Sequence, residues 1–480
     1  MSGRRWLLAL AALTVLRWLL AGQLELSPDE AYYWLWSKSL QGGYYDHPPM
    51  VALWIRAGTL LFGDTAFGVR FLGPLSVALG SLLVWRIAED LAPARNAGVS
   101  AAAALNATLL MGAGSIIMTP DTPLVFFWTL TLFCAARLWV TGNGLWWLAT
   151  GLAIGAAMTS KYTTVFLVAG VLLWVLVLPD IRRWLLRPQP WLGALLALAV
   201  FAPVILWNAG HDWAGLLKQG GRVGAGGGLQ FRFLPELLGG QIGLATPLLF
   251  VLFAVGTWSA AGAARRRSPA AVLLVASLAP AILYFLIHAL RDRVQANWPA
   301  AIYPAAAIAA AIWIGPRLSA WWRPAMVVGF GFTALAYIQA ATGLVPLPAR
   351  SDPTLLRLAG WTALGGRVAD VLRADGGSFV AVEEYGLAAE LRFALPAAVP
   401  VIVVGDRWGH FTFSAASATG PGLYVRSERR GQEPPASFAG ATRRGTLARQ
   451  RGETVAERYV TFAVTAPAQT QAFRLPVPDR

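Results

Sequence analysis

The chain has 480 residues, 56% of them hydrophobic and only 13% charged, against about 25% charged in a soluble domain, which excludes an ordinary aqueous globular fold. The net charge of +15 does not point to nucleic acid, because the basic residues lie in short connections between apolar runs, a pattern set by membrane orientation and anionic headgroups. Cys134 is the only cysteine, so neither an intrachain disulfide nor a cysteine-rich metal site can form.

Apolar runs near 6–24, 69–90, 97–117, 122–140, 145–159, 162–178, 191–207, 236–257, 270–289, 299–315 and 322–344 predict about eleven membrane helices. The first run is too long in its apolar part for a cleaved leader and has no small-residue cleavage site before Asp29. Residues 145–178 read as two short helices broken at Thr159-Ser-Lys-Tyr-Thr163. Arg4 and Arg5, Arg86 and Arg95, Arg137, Arg182, Arg183 and Arg187, Arg265–Arg267, Arg317 and Arg323 fall on alternate connections. With the N-terminus in the cytoplasm every inner loop is basic. The outer face then receives 25–68, 118–121, the break at Lys161, 208–235, 290–298 and everything beyond 345.

The acids give an independent signal. Of the twelve up to residue 345, all but Glu89, Asp90 and Asp180 fall on or near the outer side. Orientation rules barely involve acids, so an outer polar site is the simplest cause. Its centre is Ser27-Pro-Asp-Glu-Ala-Tyr-Tyr-Trp34, directly after the first span, followed by Tyr44-Tyr-Asp-His-Pro-Pro49. Adjacent acids at a membrane face are costly without a partner or a task. Ser27-Pro-Asp-Glu is also a good helix start, so capping competes with chemistry for Asp29 and Glu30.

Residues 208–235 form a long connection with glycines at 210, 215, 220, 221, 224 and 226–228. It reads as a mobile loop or as a gate over a ligand, with Arg222 available to a phosphate. Beyond residue 345 the composition turns soluble. Leu355–Ala374 and Glu384–Phe393 predict helices; Ser378–Glu383, Val399–Val404, Gly422–Arg426 and Tyr459–Val464 predict strands. Ala415–Pro421 and Gly431–Ser437 read as loops. The expected organisation is a transmembrane domain over 1–345, containing the loop 25–68 with amphipathic helices, and a small α/β domain outside the membrane over 346–480. The tail shows neither a phosphate-cradling glycine loop nor a nucleophile elbow, so it reads as a lid or an acceptor guide.

Ordered motifs carry a resemblance: Pro28-Asp-Glu-Ala-Tyr-Tyr-Trp34 with Gly43–Met50 and Gly68-Val-Arg70, Thr119-Pro-Asp-Thr-Pro123, Thr159-Ser-Lys-Tyr162 and Val294-Gln-Ala-Asn-Trp-Pro299. Residues 5–345 resemble the GT-C membrane glycosyltransferases, in the bacterial group related to protein O-mannosyltransferases and lipid A aminoarabinose transferases. The resemblance implies a mainly α, polytopic GT-C fold in the bacterial inner membrane. It also implies an inverting transfer of a sugar from a polyprenyl-phosphate carrier, of the undecaprenyl type, to an envelope lipid or glycan. His47 stands where aminoarabinose transferases carry lysine, which leaves the sugar open. A flippase of lipid-linked sugars, a protein O-glycosyltransferase and a non-enzymatic assembly subunit are the rival readings. A flippase would need repeats and polar residues at mid-membrane depth, and no internal repeat is evident.

On this resemblance Asp29 is the general base for the acceptor hydroxyl, with Glu30 orienting it or binding the sugar. Fixed cations must meet the charge on the departing lipid phosphate. Lys161, Arg70, His47, Arg291 and Arg293 are the candidates. Lysine is scarce, with only Lys38, Lys161 and Lys218 present, so one at a helix break is conspicuous. Asp46, Tyr45, Asp121, Tyr162, Asn297 and Trp298 are candidates for sugar or acceptor contacts. No cofactor is expected. Asp29, Glu30, Asp46, His47 and Asp121 offer the oxygen and imidazole donors that a divalent cation could use, but no short H-x-x-x-H spacing accompanies them. The expected partners are the lipid-linked donor, the acceptor and membrane lipids, with no nucleic acid.

Overall fold

A computed structural model describes residues 3–224, 228–416, 420–433, 436–467 and 472–479. Residues 225–227 of the glycine-rich connection and parts of both expected tail loops (417–419, 434–435) fall outside it, as does the side chain of Arg222.

The chain is mainly helical and spans the membrane several times. Among the described residues, seven helices are long and apolar enough to cross: Gly3–Gln23, Ala66–Leu91, Asp121–Thr141, Pro188–Ala209, Pro247–Arg265, Pro269–His288 and Pro316–Thr342. An eighth follows if Tyr162–Val177 and Pro179–Leu186, bent by 102°, count as one span. Shorter apolar helices are Met50–Phe62, Gly98–Ala107, Leu145–Met158 and Trp298–Trp313. The break at Thr159–Lys161 is where the sequence puts it, with helix ending at Met158 and resuming through a 3-10 turn at Tyr162–Thr164.

Two expected spans are wrong in their bounds, and 97–117 is the first, broken at Thr108 between Gly98–Ala107 and Leu109–Gly114. Residues 236–257 do not form a single helix: Phe233–Ala245 ends at Thr246, whose φ of 72° leaves the helical region, and Pro247 opens a new helix to Arg265. Proline supplies no N–H for the preceding turn and sits naturally at a helix start. The glycine-rich connection also differs from a plain loop, since Ala214–Gly224 is a helix.

The residues group into two compact units. One comprises Met1–Arg17, Asp46–Val51 and Leu72–Leu335; the other comprises Trp18–Tyr45, Ala52–Phe71 and Ala336–Arg480. Most of the first loop therefore clusters with the tail, although the sequence places it with the spans, and Asp46–Val51 stays in the first unit.

Among the described residues of the second unit the strands are β1 (Phe379–Val382), β2 (Val401–Val404), β3 (Ser414–Ala415), β4 (Gly422–Ser427), β5 (Phe438–Ala439), β6 (Thr442–Arg451), β7 (Thr454–Val464), β8 (Ala466–Pro467) and β9 (Ala472–Arg474). Seven make a mixed sheet in the order β3-β9-β2-β1-β4-β7-β6, and β5 pairs with β8. Central β1 runs parallel to both β2 and β4, and its four residues are all buried. That burial explains the continuous apolar run Phe-Val-Ala-Val. The helix Tyr385–Ala394 starts just past the carboxyl end of β1. The expected helix Leu355–Ala374 is two, Pro353–Leu358 and Trp361–Ala374, parted at Gly360 with a φ of 83°.

The helix Tyr385–Ala394 buries Glu390, whose Oε1 finds no hydrogen bond among the described residues. Burial, reinforced by the Glu25 and Glu30 charges and only partly offset by Arg449 and Arg70, pushes this carboxyl well above the usual carboxylate range. The folded chain thus keeps a proton that the unfolded chain has released. Stability is lost as pH rises from the ordinary carboxylate range toward the raised folded value, by roughly 1 kcal/mol per pH unit. Glu390→Gln should remove that slope. Thermal melting in detergent should show the variant more stable than the parent near pH 7, with the gap narrowing near about pH 5. Equal gaps at both would contradict a buried neutral carboxyl.

Candidate functional site

In the second unit the two adjacent acids have different surroundings. Ser27 is the N-cap of the helix Pro28–Ser37 and closes a capping box: its hydroxyl accepts from the Glu30 N–H, and the Ser27 N–H donates to Glu30 Oε2 at 3.0 Å. Proline at the first helical position is pre-set for this geometry. Glu30 is fully buried and meets Arg70 bidentately, Nε to Oε1 and Nη2 to Oε2, both at 2.7 Å.

Arg70 spends its other N–H groups on carbonyls, those of Ala21 (3.0 Å), Leu24 (2.8 Å) and Glu25 (2.8 Å). A guanidinium has five donors, and all five are engaged. The expectation that Arg70 binds a phosphate is therefore corrected. It ties the C-terminal end of the first helix to the start of the next, where cations are favoured by exposed carbonyls. Glu30 likewise belongs to this strut, not to a sugar contact.

Asp29 is left half-exposed, its side chain 40% accessible. The Tyr385 hydroxyl donates to Oδ1 at 3.1 Å, and Arg357 Nη1 reaches Oδ2 at 3.4 Å. Glu25, four residues earlier, accepts the N–H groups of Trp361 (2.9 Å) and Thr362 (2.8 Å). It thereby caps the helix Trp361–Ala374, whose own N-cap, Gly360, has no side chain to do so. Tyr45 stacks on His410 with centroids 4.9 Å apart, and Arg407 lies over the rings of Tyr32, Tyr45 and Tyr385.

In the first unit three expected residues converge from distant sequence. Lys161 Nζ donates to Asp121 Oδ1 at 2.7 Å, and Asn297 Nδ2 donates to Asp121 Oδ2 at 2.8 Å. Lys161 and Asp121 are both buried. The Met50 N–H donates to the Thr159 carbonyl at 2.9 Å, tying the Pro-Pro loop to the helix break. Asp46 pairs with Lys218, and its carbonyl accepts from Gln219 at 2.6 Å, so the helix Ala214–Gly224 is fastened to that loop. His47 is half-buried beside it. Tyr162 accepts from Asn208 at 3.2 Å, and Trp298 packs against His288. Arg293 is exposed and paired with exposed Glu236, and Arg291 is exposed. Surface pairs of that kind hold little energy.

Asp121 and Asn297 also line a cavity of about 270 Å³, walled largely by apolar groups such as Val77, Leu110 and Phe126. A second cavity of about 360 Å³ is walled by Phe253, Trp258, Phe285 and Tyr303 among others. Hydrocarbon fits both. Among the described residues no three His, Cys, Asp or Glu side chains gather as a metal site would require.

Tyr385, Arg357, Arg407 and Lys218 are not among the residues that the sequence nominates. Lys218 alone carries a signal there, as one of three lysines.

The sequence profile described as dolichyl-phosphate-mannose-protein mannosyltransferase matches residues 46–207. A lipid A galacturonosyltransferase, RgtD, from Rhizobium johnstonii is 29% identical over 302 residues, 60% of each chain. An undecaprenyl phosphate-alpha-4-amino-4-deoxy-L-arabinose arabinosyl transferase from Sodalis glossinidius is 31% identical over 180 residues, 32% of this chain and 31% of that one. The matches thus span under two thirds of either relative. The crystal structure of ArnT from Cupriavidus metallidurans bound to undecaprenyl phosphate superposes with a TM-score of 0.65 at 16% identity, covering 96% of this chain and 98% of that one. The apo form gives 0.62 at 17% identity. The chain shares the fold of that structure. Its GT-C fold extends over nearly the whole length, including the tail, which the sequence motifs did not reach.

Proposed function

We propose that this GT-C relative is an inverting glycosyltransferase of the bacterial inner membrane. It moves a sugar from an undecaprenyl-phosphate-type carrier to lipid A or another envelope lipid or glycan on the outer face. The N-terminus is cytoplasmic, and residues 346–480 lie on the far side. The observation that carries the reading is the contrast between two neighbouring carboxylates. Glu30 is locked in a capping box and an arginine fork, whereas Asp29 sits half-exposed on the same rigid helix start, held by two donors. A base must be fixed in place yet reachable by an alcohol.

In the reaction, the acceptor hydroxyl loses its proton to the Asp29 carboxylate and its oxygen bonds to the anomeric carbon. The bond from that carbon to the phosphate oxygen breaks, and polyprenyl phosphate departs as an anion. The phosphate needs no general acid, but its charge needs cations. Lys161, His47 and Arg291 remain candidates, with Arg293 a weaker one because Glu236 occupies it. Asp46, Tyr45, Asp121, Tyr162, Asn297 and Trp298 are proposed for sugar and acceptor contacts. The two apolar cavities suit the hydrocarbon chains of a lipid donor and a lipid acceptor.

The test is reconstitution of the full chain in vesicles with lipid A and undecaprenyl phosphate carrying either galacturonic acid or aminoarabinose. Mass spectrometry should find lipid A heavier by one sugar with one of the donors. Passage of the donor across the bilayer with no transfer would instead identify a flippase.

A further inference from the structure

The tail reaches Asp29 through contacts within the second unit. The helix Tyr385–Ala394 starts at the carboxyl end of the central parallel strand β1, where α/β sheets commonly place working residues. That helix packs on the helix Pro28–Ser37, with Gly386 against Pro28, the neighbour of Asp29. A Cβ added at Gly386 would come within 2.9 Å of the Pro28 Cβ, so only glycine lets the two backbones meet here. The neighbouring residue, Tyr385, sends its hydroxyl to Asp29 Oδ1. Its ring is fixed from two sides, by Tyr32 with centroids 4.6 Å apart and by the Arg407 guanidinium 4.6 Å from its centroid. Arg407 in turn donates to the Tyr32 hydroxyl at 3.1 Å. Residues from two distant parts of the chain therefore act as a clamp on one carboxylate oxygen.

We infer that Tyr385 is a positioning residue for Asp29, supplied by the tail, and that the tail completes the catalytic site. This rests on the reading of Asp29 as the base. A carboxylate free to rotate presents either oxygen to the acceptor. One held by a hydroxyl on Oδ1 keeps Oδ2 turned toward the exposed side, where Arg357 makes only a loose surface contact that an incoming alcohol can displace. Misplacement of a reacting group by even a small distance is expensive in rate. Tyr385→Phe keeps the ring, its packing and Gly386, and removes the hydrogen bond to Asp29.

The experiment uses the full chain in detergent with lipid A and whichever of the two undecaprenyl-phosphate sugars the parent turns over. It compares the parent, Tyr385→Phe, Asp29→Asn and the double variant in single-turnover rate, KM and melting temperature. Tyr385→Phe should lower kcat roughly tenfold or more, with KM and melting temperature near those of the parent. Its effect should vanish in the Asp29→Asn background, because a residue acting only through Asp29 has nothing left to position. Unchanged kcat in Tyr385→Phe with an inactive Asp29→Asn would overturn the positioning role and keep the base. An equal further loss in the double variant would also overturn it, since the tyrosine would then act on substrate or fold. Full activity of Asp29→Asn, or no turnover by the parent with either donor, would sink the underlying reading and this inference with it.

Discussion

Asp29→Asn should abolish sugar transfer while leaving the protein folded and able to bind undecaprenyl phosphate. General-base catalysis contributes on the order of a hundredfold to ten-thousandfold, so the residual rate should fall at least that far. Asparagine matches aspartate in shape, and its amide oxygen can still accept from the Tyr385 hydroxyl. No buried charge is stranded, because the Asp29 side chain is 40% exposed and its Arg357 partner 60% exposed. The predicted signature is thus a collapse in kcat with a nearly unchanged melting temperature. A flippase or an assembly subunit behaves otherwise: it needs no proton acceptor at this position and should work normally. If the variant transfers sugar at the parent rate, the site lies elsewhere.

The spans were readable because an apolar run of about twenty residues is seldom anything but a membrane helix. The break at Thr246 was not, because averaging over a largely apolar window hides a single residue with positive φ. The strand Thr442–Arg451 went unseen for the opposite reason. It lies at the end of the sheet order and carries Arg443, Arg444, Arg449 and Arg451, so its polarity reads as loop. Edge strands commonly carry such charges.

At the site, residue types were legible and pairings were not. The sequence nominated Asp121, Lys161 and Asn297 separately, but nothing in it said that one carboxylate holds the other two. Tyr385 and Arg357 reach Asp29 across 356 and 328 positions, in a segment with no motif of its own. Arg70 was misread because three of its five hydrogen bonds end on backbone carbonyls, which every residue has and no sequence pattern marks.

That reassignment carries the largest expected effect on stability. Arg70→Ala leaves the Glu30 carboxylate buried without its counter-charge and leaves the carbonyls of Ala21, Leu24 and Glu25 without a donor. Breaking a buried ion pair from one side costs about 3–5 kcal/mol, a large share of the roughly 5–15 kcal/mol that holds a typical domain together. The variant should therefore yield little monodisperse protein from detergent extracts, and what survives should melt well below the parent. Arg70→Lys should fare little better, because an ammonium has three donors in a tetrahedral array and cannot replace a planar fork that serves five acceptors. Glu30→Gln should be milder than Arg70→Ala, since the amide oxygen can still accept from the guanidinium and the remaining charge keeps its carbonyls. The ordering matters more than any single value. A phosphate ligand would behave differently: Arg70→Ala would then fold like the parent and lose only its grip on undecaprenyl phosphate, and Arg70→Lys would recover most of it. A strut joining the end of one helix to the cap of the next gives the first pattern. It also explains why the residue stands at the start of a span, since only there can one side chain reach both.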